Sequence, residues 1–276
     1  MPARTTWEGS LHLTFRLLPV EQRSRNLSVF LESDGKSPDD VLRLLPYDTE
    51  RSAAPGATPD AKRYRDGKQV YQTIGLLFED DNRLVVTEFG RAVHRWLDRI
   101  SPGNAPVLGR HAASALAGCQ LRNPTGAGRD YDPVMEVFPY AFLWRAMLAL
   151  DNRISSDELN RGLFRVRNAS EIEPCVDSIR AARTADDVTL IGEETITGER
   201  RNDRIIPWIA AASFGWTLIA DKREDADGAG WYRIRPNCVD LLRDAARIER
   251  QHREFESVAA YVSHLSRLAA VPPDLR

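Results

Sequence analysis

The chain has 276 residues, 42% of them hydrophobic and 28% charged, which is enough apolar material for one large or two modest globular domains. A formal net charge of −2 excludes a molecule that is basic as a whole, so any surface for nucleic acid has to be local. Cys119, Cys175 and Cys238 are far apart and form no C-x-x-C pair, which speaks against a zinc knuckle and a disulfide framework.

The N-terminus MPARTTWEGS has no apolar signal core, and no apolar run approaches membrane-spanning length, so a bacterial cytoplasm and no membrane partner are expected. Only Lys36, Lys62, Lys68 and Lys222 are lysines among 38 basic residues. That arginine bias fits a GC-rich genome first. It also supplies guanidinium forks suited to phosphate and guanine.

In chain order, Leu11, Leu13, Phe15 and Leu17 alternate with polar residues and predict a strand. Ser37 and Pro38 start a helix as cap and first helical residue, and Val41, Leu42, Leu44 and Leu45 give it an apolar face. Residues 52–60 read as a loop, and Asp60 caps a helix running to about Leu76. Leu76 to Phe78 and Leu84 to Val86 form two short strands around the Asp80-Asp81-Asn82 turn. Thr87 then caps a helix carrying Phe89, Val93, Trp96 and Leu97. Helix, hairpin, helix is the back half of a winged helix. Another helix covers about Ala105 to Leu121, and Arg122 to Pro133 reads as a linker.

The second half repeats the order of elements without an evident sequence repeat. Pro139 to Asp151 is an amphipathic helix, followed by a short turn. Ser155 or Ser156 caps the next helix, with Asp157 and Glu158 in its first turn. Ala169 to Arg183 is helical, 184–199 is irregular with one possible strand, and 202–213 is helical again. Strands at Trp216 to Ala220 and Trp231 to Ile234 flank a charged wing. Helices starting at Pro236 or Asn237 and at Val258 complete the chain. The expected fold is mainly α with short β-hairpins (α+β), in tandem winged-helix units. Residues 1–121 form one unit and 134–276 the other, with 122–133 between them. The last helix, with Val258, Tyr261, Val262, Leu265 and Leu268, either closes its domain or offers a dimer seam.

Chemistry-bearing motifs are scarce. Asp39, Asp60 and Lys62 satisfy the loose PD-(D/E)XK string of metal-dependent endonucleases, whose carboxylates hold a divalent ion while the lysine positions water. Here Asp39 starts a helix and Asp60 ends a loop, whereas that site normally sits on adjacent strands. The five histidines show no i, i+4 pair, and neither a nucleophile elbow nor a phosphate-binding loop occurs. Cys119 reads as a buried structural thiol. No cofactor and no metal site are expected. Trp96, Trp144, Trp208, Trp216 and Trp231 fall on apolar faces and read as core; Trp7 alone does not.

A surface for duplex DNA is better populated. Lys62, Arg63, Arg65, Lys68, Gln69 and Gln72 share the helix before the first hairpin, where a winged helix keeps its recognition helix. Arg65, Lys68, Gln69 and Gln72 are three or four apart and predict one outward face, while Tyr64 and Tyr71 pack inward. Arginine and lysine suit phosphates or guanine edges, and glutamine suits adenine. Arg83 lies in the hairpin itself. A second patch combines Arg200, Arg201, Asn202 and Arg204 with Lys222 and Arg223 of the second wing, where Glu224, Asp225 and Asp227 oppose phosphate. A solvated helix face and a winged-helix protein adaptor are the competing readings of these patches.

Residues 115–164, ALAGCQLRNPTGAGRDYDPVMEVFPYAFLWRAMLALDNRISSDELNRGLF, resemble the DNA-recognition part of AlwI-type restriction endonucleases and related restriction-system proteins. The shared features are a Q-x-x-N-P-like stretch, a proline-started helix, and a short turn before an S/T-x-x-E helix. GLLFEDDNRLVVTEFGRAV upstream resembles the wing of such proteins. The resemblance implies DNA recognition in a restriction or phage-defence setting, with a nuclease or motor subunit as partner, and marks Gln120, Arg122 and Asn123 as contact candidates. It does not imply cleavage, because the nuclease domain of those enzymes has no clear counterpart here.

Overall fold

The computed structural model describes residues 3–7, 20–45, 61–96, 105–125, 130–197, 218–224 and 230–275. They form a mainly helical α+β fold with two small antiparallel sheets. The first half carries α1 (Val20–Leu31), α2 (Pro38–Leu44), α3 (Ala61–Thr73), the hairpin β1 (Leu77–Asp80) and β2 (Arg83–Val86), α4 (Glu88–Trp96) and α5 (Ala105–Gly118). The second carries α6 (Pro139–Ala149), β3 (Arg153–Ser155), α7 (Ser156–Arg161), α8 (Ile172–Ala185), β4 (Leu218–Glu224), β5 (Gly230–Ile234), α9 (Val239–Arg247) and α10 (Val258–Ala269). The strand expected at 11–17 and the helix expected at 202–213 lie outside the described residues. Among the described residues, 184–197 contain a 3-10 turn at Val188–Ile191 rather than a strand.

Local chemistry explains the boundaries. The Ser37 hydroxyl accepts from the Asp40 amide at the start of α2, and Pro38 occupies the first turn, where a missing N–H costs nothing. Thr87 Oγ1 accepts from the Gly90 amide at 3.0 Å and so caps α4. Asp81 and Asn82 take φ of 44° and 57°, the paired left-handed turn that matches the twist of a tight hairpin. Ser155 and Glu158 form a full capping box on α7.

A short internal repeat relates the two halves. Asp34-Gly35-Lys36-Ser37-Pro38-Asp39-Asp40-Val41 corresponds to Asp151-Asn152-Arg153-Ile154-Ser155-Ser156-Asp157-Glu158-Leu159, with one residue inserted. Each stretch follows a helix and turns through a left-handed residue, Gly35 at φ 77° or Asn152 at φ 60°. Each then runs extended beside the second strand of a hairpin. Gly35 N donates to Leu84 O and Leu84 N to Lys36 O, at 2.7 and 2.9 Å. In the second half β3 pairs with β5, giving the strand order β3-β5-β4. Each stretch ends in a serine-capped helix whose first turn is acidic and therefore favours the helix dipole. The signal is short because only the turn, the cap and one apolar position are dictated by the backbone.

The buried side chains form one continuous apolar cluster. The C-terminal helix α10 packs on α4, α5 and β1, elements of the first half. A Cβ on Gly75 would meet Leu265 at 2.6 Å, and one on Gly118 would meet Leu268 at 2.2 Å, so both glycines are needed for the close approach. Tyr261, Val262 and Leu265 are buried there against the chain itself. The apolar face considered as a dimer seam is thus already occupied, because it matches the hollow over α5. Trp7 corrects another expectation: it is 1% exposed, stacked on Phe164, and its indole N–H donates to the Val166 carbonyl. No helix among the described residues is long and apolar enough to cross a membrane.

Candidate nucleic-acid interface

Helix α3 is held to the hairpin by its inner face. Tyr64 stacks on Phe30 at 5.6 Å and Tyr71 meets the same ring edge-on at 5.1 Å. Burial raises both phenols above their ordinary pKa. Glu79 of β1 accepts from the Tyr64 hydroxyl at 3.0 Å and from Lys68 Nζ at 2.5 Å, and the Lys68 ammonium lies 5.2 Å from the Tyr64 ring centre.

This geometry divides the face that helical spacing assigned to Arg65, Lys68, Gln69 and Gln72. Arg65 is exposed, with its side chain 70% accessible and Asp66 at 3.9 Å. Lys62 is exposed and Gln69 is half-buried. Lys68 is half-buried and its ammonium pairs with Glu79, which ties helix to hairpin. Gln72 is buried, at 8% exposed. It lies in the last turn of α3, which the segment after α5 covers. Cys119 Sγ and the Tyr261 hydroxyl both donate to the Thr73 carbonyl, and Thr73 Oγ1 lies 3.1 Å from Thr125 Oγ1. The outward set is therefore Lys62, Arg65 and Gln69, at i, i+3 and i+7. Arg63 occupies the same helix, but its side chain lies outside the described residues. Arg83 is exposed at the hairpin turn and donates to the Gly35 carbonyl at 2.9 Å.

The contact candidates after α5 are structural. Asn123 donates to the Gln120 carbonyl at 2.7 Å and accepts from the amide and hydroxyl of Thr125, which uses both ends of its amide within the turn. Gln120 exchanges two hydrogen bonds with the Arg253 backbone. Arg122 pairs with Glu254 and touches His252, whose pKa is lowered by burial and then by the Arg122 charge. Asn123 and Gln120 are 8% and 3% exposed. Asn123→Ala orphans the buried Thr125 amide and is expected to cost about 1–3 kcal/mol, read as a lower denaturation midpoint at constant slope.

Arg200, Arg201, Asn202 and Arg204 lie outside the described residues, as do the side chains of Lys222 and Arg223. Of the nuclease string, Asp39 is exposed at the start of α2, Lys62 is exposed on α3, and Asp60 lies outside the described residues. Among the described residues, no group of three or more His, Cys, Asp or Glu is placed to hold a metal ion. Burial raises the Cys119 thiol well above its ordinary pKa and the Cys175 thiol up to about 12, so neither is a ready thiolate.

No known family model matches the sequence, and no curated protein matches it. The structure is similar to the BpuJ1 endonuclease binding domain, solved in complex with pyrene- and phenanthrene-modified DNA. The TM-score is 0.58 and the sequence identity 9%, and the likeness covers 97% of each chain. The chain shares the overall fold of that domain. At 9% identity that likeness concerns architecture, so no contact residue transfers with it.

Folding also brings together residues that no linear motif marked. Arg145 of α6 and Arg243 and Arg247 of α9 line one groove with Arg250 and Arg253. The only sequence signal is the i, i+4 spacing of Arg243 and Arg247, which any solvated helix face shares.

Proposed function

We propose that this chain reads duplex DNA in a restriction or phage-defence system, has no catalytic site of its own, and serves a nuclease or motor partner. The observation that carries the reading is the full-length likeness to an endonuclease binding domain solved on DNA. The element order supports it. In both halves a helix, a short extended stretch, a capped helix and a hairpin follow one another, with the extended stretch joining the hairpin's second strand. That is the order of a winged helix, and we read residues 1–121 and 134–276 as two such units joined through 122–133. In the first, α3 precedes the hairpin as a recognition helix does. Lys62 and Arg65 then contact phosphate or guanine, Gln69 reaches a base edge, and Arg83 follows the backbone from the wing. Arg200, Arg201, Asn202 and Arg204 are the candidate contacts of the second unit.

Duplex binding against salt tests this. The logarithm of the binding constant should fall linearly with the logarithm of salt concentration, at about 0.9 per phosphate neutralised. Lys62→Ala with Arg65→Ala should weaken binding across sequences and flatten the slope by about 2. Lys68→Ala should leave the slope unchanged, since its ammonium is spent on Glu79. Absence of binding at low salt, or binding indifferent to salt, overturns the reading.

A further inference from the structure

A groove of about 1210 Å³ opens between α6, α9, α10 and the segment that follows α9. Arg145, Arg243, Arg247, Arg250 and Arg253 line it, and Glu249 is its one acidic lining residue. For a chain of net charge −2 this is a strong local excess of positive charge. Arg243 is partly neutralised by Asp240 on its own helix. Among the described residues the side chains of Arg145, Arg247 and Arg253 make no ion pair. Arg250 is half-buried and donates to the Ile248 carbonyl, a neutral partner. Guanidinium groups that outnumber the carboxylates around them repel one another, and an anion bound between them offsets that repulsion.

The occupant follows from what the walls lack as well as from what they hold. Phe138 and Phe142 line the floor but are only 6% and 3% exposed, so they offer no face for stacking a base. The groove is larger than a usual small-ligand pocket, and its charges are spread along two helices and an extended segment instead of converging on one point. Arginines spaced along a groove whose lining aromatics are buried suit a run of phosphodiesters.

We propose that this groove is a second, sequence-independent contact for the sugar-phosphate backbone of duplex DNA, separate from the surface of α3 and its hairpin. The proposal rests on the DNA-reading function above. It assigns backbone-positioning roles to Arg145, Arg247 and Arg253, with Arg250 as the half-buried base of the site. His264 lies in the same lining, and its imidazole is held below its ordinary pKa by burial and then by Arg253 and Arg267. Phosphate arriving in the groove offsets those two charges.

The test is the double variant Arg247→Gln, Arg253→Gln in the full chain. Arg247 and Arg253 are exposed, and it is the Arg253 backbone, not its side chain, that holds Gln120, so the fold and melting temperature should be unchanged. Titration of a 20-base-pair duplex over a salt series should show a slope smaller by about 2, with weakening that is equal for unrelated sequences. The His264 ring resonance should shift on DNA addition in the wild-type protein. An unchanged slope in the groove variant, while Lys62→Ala with Arg65→Ala flattens it, overturns the groove and leaves DNA reading intact. An unmoved His264 resonance at saturating duplex counts against the groove in the same way. Inorganic triphosphate that binds the groove without affecting the duplex slope also overturns it, in favour of a free phosphate ligand. Failure of the wild-type chain to bind duplex at low salt overturns both proposals together.

Discussion

Glu158→Ala is expected to lose about 2–4 kcal/mol of folding stability, because it removes a buried carboxylate that completes a helix cap and leaves half-buried Arg183 without a carboxylate partner among the described residues. Glu158 is 2% exposed and does three things at once. Its carboxylate accepts from Arg183 Nε at 2.6 Å and Nη2 at 2.9 Å, and it accepts from the Ser155 amide at 2.8 Å to complete the capping box. Arg183 in turn ties α8 to the end of α6 and to β3 through the Leu150 and Arg153 carbonyls. Trp231 of β5 lies against both Arg153 and Arg183, at 4.9 and 5.3 Å from its ring centre. One carboxylate therefore fixes the junction of α6, α7, α8 and the three-stranded sheet. Chemical denaturation checks this, with Arg183→Ala and the double variant completing a cycle. The double variant should cost much less than the sum of the singles, since neither charge is then left alone. A loss below about 1 kcal/mol for Glu158→Ala would show that solvent at the accessible side of Arg183 compensates the lost carboxylate and that the junction does not depend on it.

Trp7→Ala should be of similar size, about 3–5 kcal/mol, from the loss of a large buried side chain and the cavity that remains. The indole stacks on Phe164 with centroids 5.7 Å apart, donates to Val166 O at 2.8 Å, and sits where the Trp7 amide donates to Phe164 O. The N-terminal segment is thus pinned to the turn after α7, more than 150 positions away along the chain. Trp7→Phe keeps most of the ring but removes the donor to a buried carbonyl, so a smaller loss of about 1–3 kcal/mol is expected. Thermal unfolding of the two variants separates cavity from hydrogen bond. Equal effects would assign the whole contribution to the indole N–H.

Much of the local architecture is readable from side-chain chemistry near each element. The Asp81-Asn82 turn, the Thr87 cap, the Ser155 and Glu158 box and the span of α10 all depend on residues within a few positions of one another. The inward stacking of Tyr64 and Tyr71 follows from helical spacing in the same way. The candidate site was only partly legible. Helical periodicity grouped Arg65 with Lys68 and Gln72, yet it carries no information on which neighbours approach the helix. Glu79 arrives from the hairpin to pair with Lys68, and Cys119 and Thr125 arrive against Thr73 at the end of the helix, where Gln72 is buried. Asn123 reads as a polar loop residue in sequence, but its amide closes a buried turn.

The amino-acid sequence by itself determined the helices, hairpins and caps, because those are set by interactions a few residues long. It also determined that any basic surface must be local, because opposite charges nearly cancel over the chain. Tertiary structure alone decided which cations remain available, since that depends on contacts between distant segments. It paired Lys68 with Glu79, buried Gln72, and gathered arginines from two helices and a connecting segment into one groove. Charge acts through space and falls with distance between atoms, a quantity that the order of residues does not contain.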